Sequence, residues 1–404
     1  MESIRVELLI VGGGLTGMTL ALACAGAGIE TALIDREAPE RMLAAPFDGR
    51  TTALAWGSAQ VMETLGVLAD IAAEAEAIRE IRVADGSSRL HLHYEQSLVG
   101  DHPLGFIVEN RVLRRALLER LRRLPTVTHF APVAVASVAR ETDGVCAVLA
   151  DGREVRAPLV AACDGQNSPL RQAAGIRSIT WSYPQTGIVC TVRHAEPHCG
   201  VAVEHFLPAG PFAILPMTDQ RSSIVWTERS GLAPALLALD EGGFTRELER
   251  RFGDHLGALA VEGPRWSYPL SFLHAQRTSA RRLALVGDAA HAIHPIAGQG
   301  FNLGIRDVAA LAELIVDRRR LGLDIGGTAL LQAYERSRRI DTALLAGVTD
   351  GLNRLFSNDV APVRLARDLG LAAVNRMPPL KRLFMRHAMG IAGAQPRLVR
   401  GDAL

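Results

Sequence analysis

A glycine-rich turn between a predicted strand and a predicted helix constrains this sequence more than any other feature. Residues 5–11 have the β-branched and aliphatic composition of a short strand, and Gly12, Gly14 and Gly17 follow with the spacing Gly-x-Gly-x-x-Gly. In such a turn the first glycine permits the sharp bend, the second lets backbone approach a pyrophosphate, and the third lets the next helix pack on the strand. The pattern indicates a dinucleotide-binding unit.

The residues after the turn complete a strand–helix–strand unit. Residues 16–27 predict the helix, Gly28 its C-terminal cap, and residues 31–34 a second strand. Asp35 ends that strand, where a carboxylate can accept a hydrogen bond from a ribose hydroxyl, and Arg36 follows it. Residues 8–29 form a run of 22 without a charge, which also satisfies a crude filter for a signal peptide or a membrane helix. We interpret the run as a buried parallel strand and a buried helix, which are apolar on every side.

Composition excludes several classes of protein. A length of 404 residues predicts two to three domains at about 150 residues each, and 48% hydrophobic with 22% charged residues is ordinary for a globular core. Lys plus Arg total 44 against 43 for Asp plus Glu, so nothing steers the protein toward a polyanion and nucleic acid is not an expected partner. The five scattered cysteines contain no Cys-x-x-Cys pair, which indicates a reducing compartment such as the cytosol.

Two later segments favour a flavin over NAD. Residues 159–163 and 282–286 predict buried strands, and each is followed by an aspartate next to a glycine. These pairs are Asp164 with Gly165 and Gly287 with Asp288. In open α/β sheets ligands bind at the carboxyl ends of the strands. A second glycine-rich turn, residues 294–304, leads into a predicted helix from about residue 302 to 320, whose dipole favours negative charge such as that of a reduced flavin.

Together the motifs resemble the single-component, FAD-dependent aromatic hydroxylases with the p-hydroxybenzoate hydroxylase fold. Residues 12–17 with Asp35 are similar to that family's ADP-binding fingerprint, residues 163–165 to its Asp-Gly motif and residues 287–288 to its Gly-Asp motif. Within the family, residues 47–54 and 294–307 resemble the ubiquinone-biosynthesis ring hydroxylases, nearest to the 2-polyprenyl-6-methoxyphenol hydroxylase type. The sequence departs from the pattern at Asp35, where many relatives have Glu, and at Cys163, where Ala is common.

The resemblance implies an α/β fold with an interrupted cofactor domain. Residues 1–76, 103–176 and 278–340 are expected to form a Rossmann-like FAD-binding domain with a parallel sheet. Residues 77–102 and 177–277 are expected to form a substrate domain, where alternation at residues 81–83, 90–93 and 224–226 predicts an antiparallel sheet. Residues 341–404 are expected to form a helical C-terminal region.

The resemblance also implies contacts between FAD and particular side chains. Asp35 is expected to contact the adenosine ribose, and Arg50 and Arg111 the phosphate and ribityl region. Asp288 is expected to contact ribityl or pyrophosphate hydroxyls, and Asp164 the flavin and the incoming nicotinamide. The other side chains expected to bind the cofactor are Arg36, Gln299 and Asn302. Arginine suits phosphate because its planar fork donates two charge-assisted hydrogen bonds. Two alternatives stay open: Arg111 as a surface helix residue, and Asp164 as the N-cap of a helix starting near Ser168.

The activity implied is hydroxylation of the ring of a polyprenylated phenol in ubiquinone biosynthesis. NADH or NADPH would reduce FAD, O2 would be captured as a flavin C4a-hydroperoxide, and its distal oxygen would pass to the ring, while the protein orients the ring and excludes water. Pro295, Gly298 and Gly300 are expected to form the catalytic loop beside the flavin ring, with no side-chain nucleophile. A hydroxylase of another phenol, a reductase or halogenase, and a non-catalytic flavin-binding scaffold of a biosynthetic complex stay open as alternatives.

The last third of the chain predicts helices with a basic surface. Residues 364–400 hold eight Arg or Lys against Asp368 alone, interleaved with large apolar residues. Such a segment can lie on an anionic membrane surface, which suits a polyprenylated substrate. A helix packed on the FAD domain, or a docking surface for another ubiquinone-biosynthesis protein, explains it as well. We expect a cytoplasmic protein, with peripheral contact at the inner face of the membrane as one interpretation.

One cluster could be drawn as a metal site and is not interpreted as one. Cys190, His194, His198 and Cys199 lie within ten residues, but their spacing does not match a usual zinc pattern. We therefore predict no metal ion.

Overall fold

The computed structural model describes residues 3–44, 48–86, 91–357 and 374–404. Its central sheet consists of β2 (Leu8–Val11), β3 (Thr31–Ile34), β9 (Val127–Phe130), β13 (Leu159–Ala162), β19 (Ser279–Ala280) and β20 (Leu283–Leu285). The strand order is β19-β20-β13-β2-β3-β9, and all neighbours are parallel except β19 and β20. The parallel sheet expected from the glycine-rich turn is therefore confirmed.

The strands of this sheet are apolar because both faces are covered. Helices α1 (Leu15–Gly26), α5 (Asn110–Leu121) and α9 (Gln299–Arg320) pack on one face. A four-stranded sheet packs on the other and consists of β1 (Ser3–Arg5), β10 (Val135–Arg140), β11 (Val145–Leu149) and β12 (Glu154–Ala157). The uncharged run at residues 8–29 belongs to this core. None of the described helices is long and apolar enough to cross a membrane.

A second large sheet has eight strands. They are β6 (Glu80–Asp85), β7 (His91–Glu95), β14 (Ser178–His194), β15 (Val201–Leu207), β16 (Gly210–Met217), β17 (Arg221–Arg229), β18 (Leu259–Ala275) and β21 (His291–Ala292), in the order β21-β18-β14-β17-β16-β15-β6-β7. Neighbours are antiparallel, as expected, except the parallel pair β6 and β15. Helices α7 (Ala233–Leu237) and α8 (Glu241–Phe252) cover one face, where Phe244 and Phe252 pack with Trp226.

Shorter elements join the two large sheets. A three-stranded sheet contains β4 (Thr51–Ala55), β5 (Glu76–Ile78) and β8 (Gly105–Glu109), and the small helices α2 (Pro39–Leu43), α3 (Trp56–Thr64), α4 (Val67–Ile71) and α6 (Pro169–Ala173) lie around it and the central sheet. The C-terminal helices are α10 (Thr328–Phe356), α11 (Pro378–Ala388) and α12 (Arg397–Arg400). The mixed α/β fold with a helical C-terminal region is confirmed, while the basic positions Arg364 and Arg367 lie outside the described residues. The division into two domains stays a prediction.

A buried aspartate ties the C-terminal helices to the central sheet. Asp307 of α9 accepts hydrogen bonds from His291 Nε2 at 2.6 Å, from Arg338 Nε at 2.7 Å and from the backbone N–H of Gly287 at 3.0 Å. Burial acts to raise the pKa of this carboxyl, but the charges and hydrogen bonds of His291 and Arg338 outweigh it and lower the pKa to about 2. The same contact therefore holds α9, α10 and the turn after β20 in one arrangement.

We expect Asp307→Asn to destabilise the fold by roughly 3–5 kcal/mol, because it leaves Arg338 buried without its full counter-charge. The folded pKa of about 2 lies below the ordinary value of 3.8. The ionic contribution is therefore present above about pH 4 and is lost as the pH falls toward 2. Thermal unfolding of the wild type and of Asp307→Asn should be measured from neutral pH down to about pH 2. The difference between their Tm values should narrow only below about pH 4. A Tm difference that stays constant down to the lowest pH would contradict the assignment.

Candidate flavin and substrate site

The three predicted motifs lie side by side at one edge of the central sheet. β13 pairs in parallel with β2 on one side and with β20 on the other, so the residues after these strands leave the sheet together. Gly12 lies against Cys163 so closely that a Cβ on Gly12 would be 2.2 Å from the Cys163 carbonyl oxygen. A Cβ on Gly287 would be 3.1 Å from Thr16 Cγ2 at the start of α1. We call this place the glycine edge.

The first turn leaves the start of α1 open. Gly12 has φ +106°, which favours glycine, and a Cβ on Gly17 would lie 1.9 Å from the Gly12 carbonyl oxygen. At Gly14, by contrast, no heavy atom of the described residues other than its chain neighbours lies within 4 Å of an ideal Cβ, and no described side chain caps α1 there. An uncapped helix N-terminus with open space before it suits a phosphate group.

Asp35 is fixed to this turn. The backbone N–H of Gly13 donates to one oxygen of the Asp35 carboxylate, and the N–H of Glu37 donates to the other at 2.6 Å. Each carboxylate oxygen has a further lone pair that can accept from a ligand hydroxyl. Arg36, the next residue, is exposed. The structure thus places the predicted ribose acceptor directly beside the glycine turn.

Two other aspartates at the glycine edge keep hydrogen-bonding capacity. Asp164 Oδ2 accepts from the Leu170 N–H at 3.2 Å, while Oδ1 is buried without a partner among the described residues. Burial raises the pKa of Asp164. The side chain of Ser168 is the N-cap of α6, so Asp164 is only a second contact at that helix start. Asp288 lies at the same edge with part of its surface exposed. Desolvation by the surrounding protein raises its pKa, although the charges of His291 and Arg50 act to lower it.

A carboxylate that the sequence analysis did not single out positions Arg50. Asp48 is buried and accepts from Arg50 Nε at 2.9 Å and from Arg50 Nη2 at 3.1 Å. Asn110 Nδ2 at 3.1 Å, Arg114 Nη2 at 2.5 Å and the backbone N–H of Arg50 at 2.9 Å also donate to it. Burial opposes ionisation of Asp48, but these donors outweigh it and hold the pKa of the carboxyl well below its ordinary value. The ring of Tyr268 lies 4.9 Å from Arg50 Cζ, so the guanidinium is held from two sides.

Arg111 has a different environment from Arg50. It is exposed near the start of α5, and the contact described for its side chain is with Glu109 at 3.5 Å. Arg114, one helical turn later, points inward to Asp48. The structure does not bring Arg111 to the Asp48 cluster, and its contact with a cofactor stays a prediction.

The second glycine-rich turn packs on β4. Gly298 has φ +61°, and a Cβ there would lie 2.8 Å from Ala53 Cβ. Gly300 faces open space, and Pro295 is exposed. We call residues 294–300 the glycine loop. The open space at Gly300 suits the predicted approach of a flavin ring, whereas at Gly298 the space in the Cβ direction is occupied by Ala53.

Asn302 and Gln299 support the glycine loop through their amides. Asn302 Nδ2 donates to the Ala53 carbonyl at 2.8 Å and to the Gly298 carbonyl at 2.9 Å, and its Oδ1 accepts from the Ala55 N–H at 2.9 Å. Gln299 Nε2 donates to the Ala388 carbonyl at 3.1 Å. Both side chains are buried, so we expect them to act on a cofactor by holding the loop backbone.

Comparison with known proteins identifies the family. A family model described as an FAD binding domain matches residues 5–345. Ubiquinone hydroxylase UbiL of Rhodospirillum rubrum is 56% identical over 401 residues, covering 98% of this chain and 93% of that protein. This chain belongs to the FAD-binding family of the ubiquinone hydroxylases. The 3-demethoxyubiquinol 3-hydroxylase of Escherichia coli is 33% identical over 393 residues, covering 97% of this chain and all of that protein.

The fold of this FAD-binding family is also found among solved structures. The p-nitrophenol 4-monooxygenase PnpA of Pseudomonas putida superposes with a TM-score of 0.81 at 21% identity, covering 98% of this chain and 100% of that chain. Family membership confirms the resemblance drawn from the motifs and the expectation of FAD in place of NAD. The residues at the glycine edge fit such a group, since among the described residues Asp164 Oδ1 lacks a partner and no heavy atom beyond the chain neighbours lies within 4 Å of an ideal Cβ on Gly14.

Cys190 and His194 of the cysteine and histidine cluster lie on β14, whereas His198 and Cys199 lie in the connection between β14 and β15. Cys190 is buried, and His194 is hydrogen-bonded to the Glu196 carbonyl at 2.8 Å and to Ser222 Oγ at 3.1 Å. Within the described ranges, no group of three or more histidine, cysteine or acidic side chains could hold a metal ion.

For this member of the FAD-binding family, we expect Asp48→Asn to weaken FAD binding by about ten- to a hundredfold. The variant removes the charge that orients the Arg50 guanidinium, and hydrogen bonds to charged groups contribute roughly 1.5–3 kcal/mol. Fluorescence titration of the flavin-free protein measures the affinity. Asp70→Asn is the matched control, because Asp70 also pairs with an arginine, Arg120, but at the surface. Equal affinities in wild type and Asp48→Asn would show that Asp48 does not position Arg50.

Proposed function

We propose that this protein is an FAD-dependent monooxygenase that hydroxylates the ring of a polyprenylated phenol in ubiquinone biosynthesis. NADH or NADPH is the proposed reductant and O2 the proposed source of oxygen. The main support is similarity along nearly the whole chain to ubiquinone hydroxylases, together with three motifs that meet at the glycine edge.

We assign the FAD-holding roles to groups at the glycine edge. The open N-terminus of α1 after Gly14 would receive the pyrophosphate, and Asp35 the adenosine ribose. Arg50, held by Asp48, would receive phosphate or ribityl oxygens, and Asp288 would accept from a hydroxyl of the same region. Bound there, FAD supplies the redox chemistry and the activation of oxygen. The chain itself orients the ring through the glycine loop.

The substrate would lie between the glycine loop and the eight-stranded sheet. Ile296 of the loop packs with Phe206 of β15 and Phe356 of α10, so the loop rests directly on that sheet. A neighbouring apolar cluster joins β4, the sheet and α11 and includes Ala53, Ile81, Tyr94, Leu215, Met217, Met385 and Met389. Apolar walls of this kind suit a prenyl chain, because apolar surface is stabilised when it leaves water.

We also propose that α11 contacts the membrane surface from which such a substrate comes. Met377, Leu383 and Phe384 expose 52, 49 and 44% of their surface, although all are large and apolar. The basic residues Arg376, Arg382 and Arg386 are exposed in the same segment. Met385 and Met389 are buried on the opposite side, which fixes the helix to the protein. An apolar surface flanked by arginine matches an anionic lipid surface.

We expect the FAD-loaded protein to oxidise NADH or NADPH and consume O2 faster when a prenylated phenol is added. The product should carry one oxygen from isotope-labelled O2. Asp288→Ala should lower both FAD retention and product formation, because it removes an acceptor at the glycine edge. Asp143→Ala, which changes an exposed turn between β10 and β11, is the control.

Three outcomes distinguish the alternatives. NAD(P)H oxidation without a hydroxylated product would favour a reductase, and FAD binding without NAD(P)H oxidation would favour a scaffold. Quinone profiles of cells lacking the protein should show one under-hydroxylated prenylphenol that only the wild type removes. Unchanged quinones together with hydroxylation of a different phenol would overturn the ubiquinone assignment.

The membrane contact has a separate test. Replacing Leu383 and Phe384 together by Glu should weaken binding to phosphatidylglycerol vesicles by at least about tenfold, since each large apolar side chain contributes roughly 1.5–3 kcal/mol when fully buried. The matched control replaces Leu232 and Leu239, which are 52 and 36% exposed beside α7, by Glu. Co-sedimentation measures the affinities, with phosphatidylcholine vesicles as the uncharged comparison. Equal losses in both double variants would refute a specific role of α11.

A further inference from the structure

Within the described part of the chain, a buried histidine in the glycine loop has no hydrogen-bond partner. The side chain of His294 is completely buried, and neither of its ring nitrogens has a partner among the residues that the structure describes. His291, three residues earlier, is by contrast bonded to Asp307 at 2.6 Å. Buried polar groups in proteins are nearly always hydrogen-bonded. An imidazole with two unused nitrogens at a ligand site therefore indicates a group that arrives from outside the chain.

The surroundings of His294 keep its ring neutral. The ring of Tyr183 meets it edge-on, with centroids 5.1 Å apart and planes at 79°. The Tyr183 hydroxyl donates to Asp350 at 2.8 Å, and Asp350 pairs with Arg354 at 2.9 Å. Burial lowers the pKa of His294 to about 4, with the charge of Asp350 acting in the opposite direction. One ring nitrogen therefore carries a lone pair at neutral pH and can accept a hydrogen bond.

The position of His294 is where a phenol is expected to lie. The next residue, Pro295, is exposed, and Ile296 packs against the eight-stranded sheet. The preceding residue, Ile293, belongs to an apolar cluster with Tyr183 and Phe272. The imidazole is thus a polar group set in an apolar wall at the junction of the loop and the sheet. Such a combination suits a ligand that is apolar except for one hydroxyl.

We propose that His294 accepts the hydrogen bond of the substrate's phenolic hydroxyl and thereby determines that the site takes phenols. The inference rests on the proposed function, because it names the residue that recognises the proposed substrate. The hydroxyl is the donor and the neutral ring nitrogen is the acceptor. An analogue without the hydroxyl leaves the buried nitrogen unpaired, so it binds less well.

Binding of two matched compounds to the FAD-loaded protein tests this role. One is a phenol with a short prenyl chain, and the other is the same prenylated benzene without the hydroxyl. Perturbation of the flavin absorbance reports both dissociation constants, so no turnover is needed. The wild type is expected to bind the phenol about tenfold more tightly. His294→Phe keeps a ring beside Tyr183 but has no acceptor, so the ratio should fall to about one or below.

Two further variants make the result specific. His294→Leu also lacks an acceptor and replaces the Phe variant if that variant does not retain FAD. The ratio of the two dissociation constants should again fall to about one or below. His274→Phe removes another imidazole, one with a buried nitrogen that has no partner in the described ranges, but His274 lies on β18 outside the loop. This variant should leave the wild-type ratio unchanged.

The outcomes separate this inference from the proposed function. An unchanged ratio in an FAD-loaded His294 variant would overturn the inference and indicate that a buried water serves the ring nitrogens. A wild-type ratio near one would overturn it as well. A wild type that binds neither compound would count against the proposed substrate class and would remove the inference with it.

Discussion

Backbone contact between the first glycine turn and the neighbouring strand is the constraint on which the rest of the site depends. Gly12 lies against the Cys163 carbonyl, and Gly17 lies against the carbonyl of Gly12, at separations that exclude a Cβ. A side chain at either position would push α1 away from the sheet. The start of the helix would then no longer face the same space as Asp164 and Asp288. The glycine edge is therefore built from backbone first, and the polar side chains are added to it.

Four aspartates in and around the site fall into two electrostatic classes. Asp48 and Asp307 are surrounded by donors and have lowered pKa values, so they are ionised anchors that hold arginines and turns in place. Asp164 and Asp288 have fewer donors, and the surrounding protein raises their pKa values. The carboxylate oxygens of Asp48 and Asp307 already accept hydrogen bonds from protein donors. Asp164 and Asp288 would instead be stabilised by a ligand that donates to them. The protein partners of each aspartate thus distinguish the two that support the structure from the two that we propose as ligand contacts.

Local spacing made much of the fold and part of the site predictable. The glycine turn, the strand after it and the aspartate that ends that strand lie within a few dozen residues and follow local rules. Two partners of Asp48 could not be found in this way, since Asn110 is 62 and Arg114 66 positions away and both become partners only when α5 is docked. For the same reason nothing local distinguishes exposed Arg111 from buried Arg114. The parallel pairing of β6 with β15 was not predicted either. Alternation of polar and apolar residues predicts a strand with one polar face, but it does not predict the direction of the neighbouring strand.

The C-terminal region is joined to the glycine loop through backbone carbonyls at the end of α11. Gln299 begins α9 inside that loop and donates to the carbonyl of Ala388 at the end of α11, and the Gly57 N–H donates to the Met389 carbonyl at 2.8 Å. Backbone carbonyls at a helix end need donors, and here the loop and α3 supply them. The inner side of α11 thus contributes to the wall proposed for the prenyl chain, while its outer side carries Leu383 and Phe384. The helix α11 is bonded to the glycine loop and is proposed to contact the membrane. The loop and the membrane surface would then be separated by the width of one helix, about 10 Å. Under the proposed membrane contact, a prenylated phenol would need to move only a short distance between lipid and flavin.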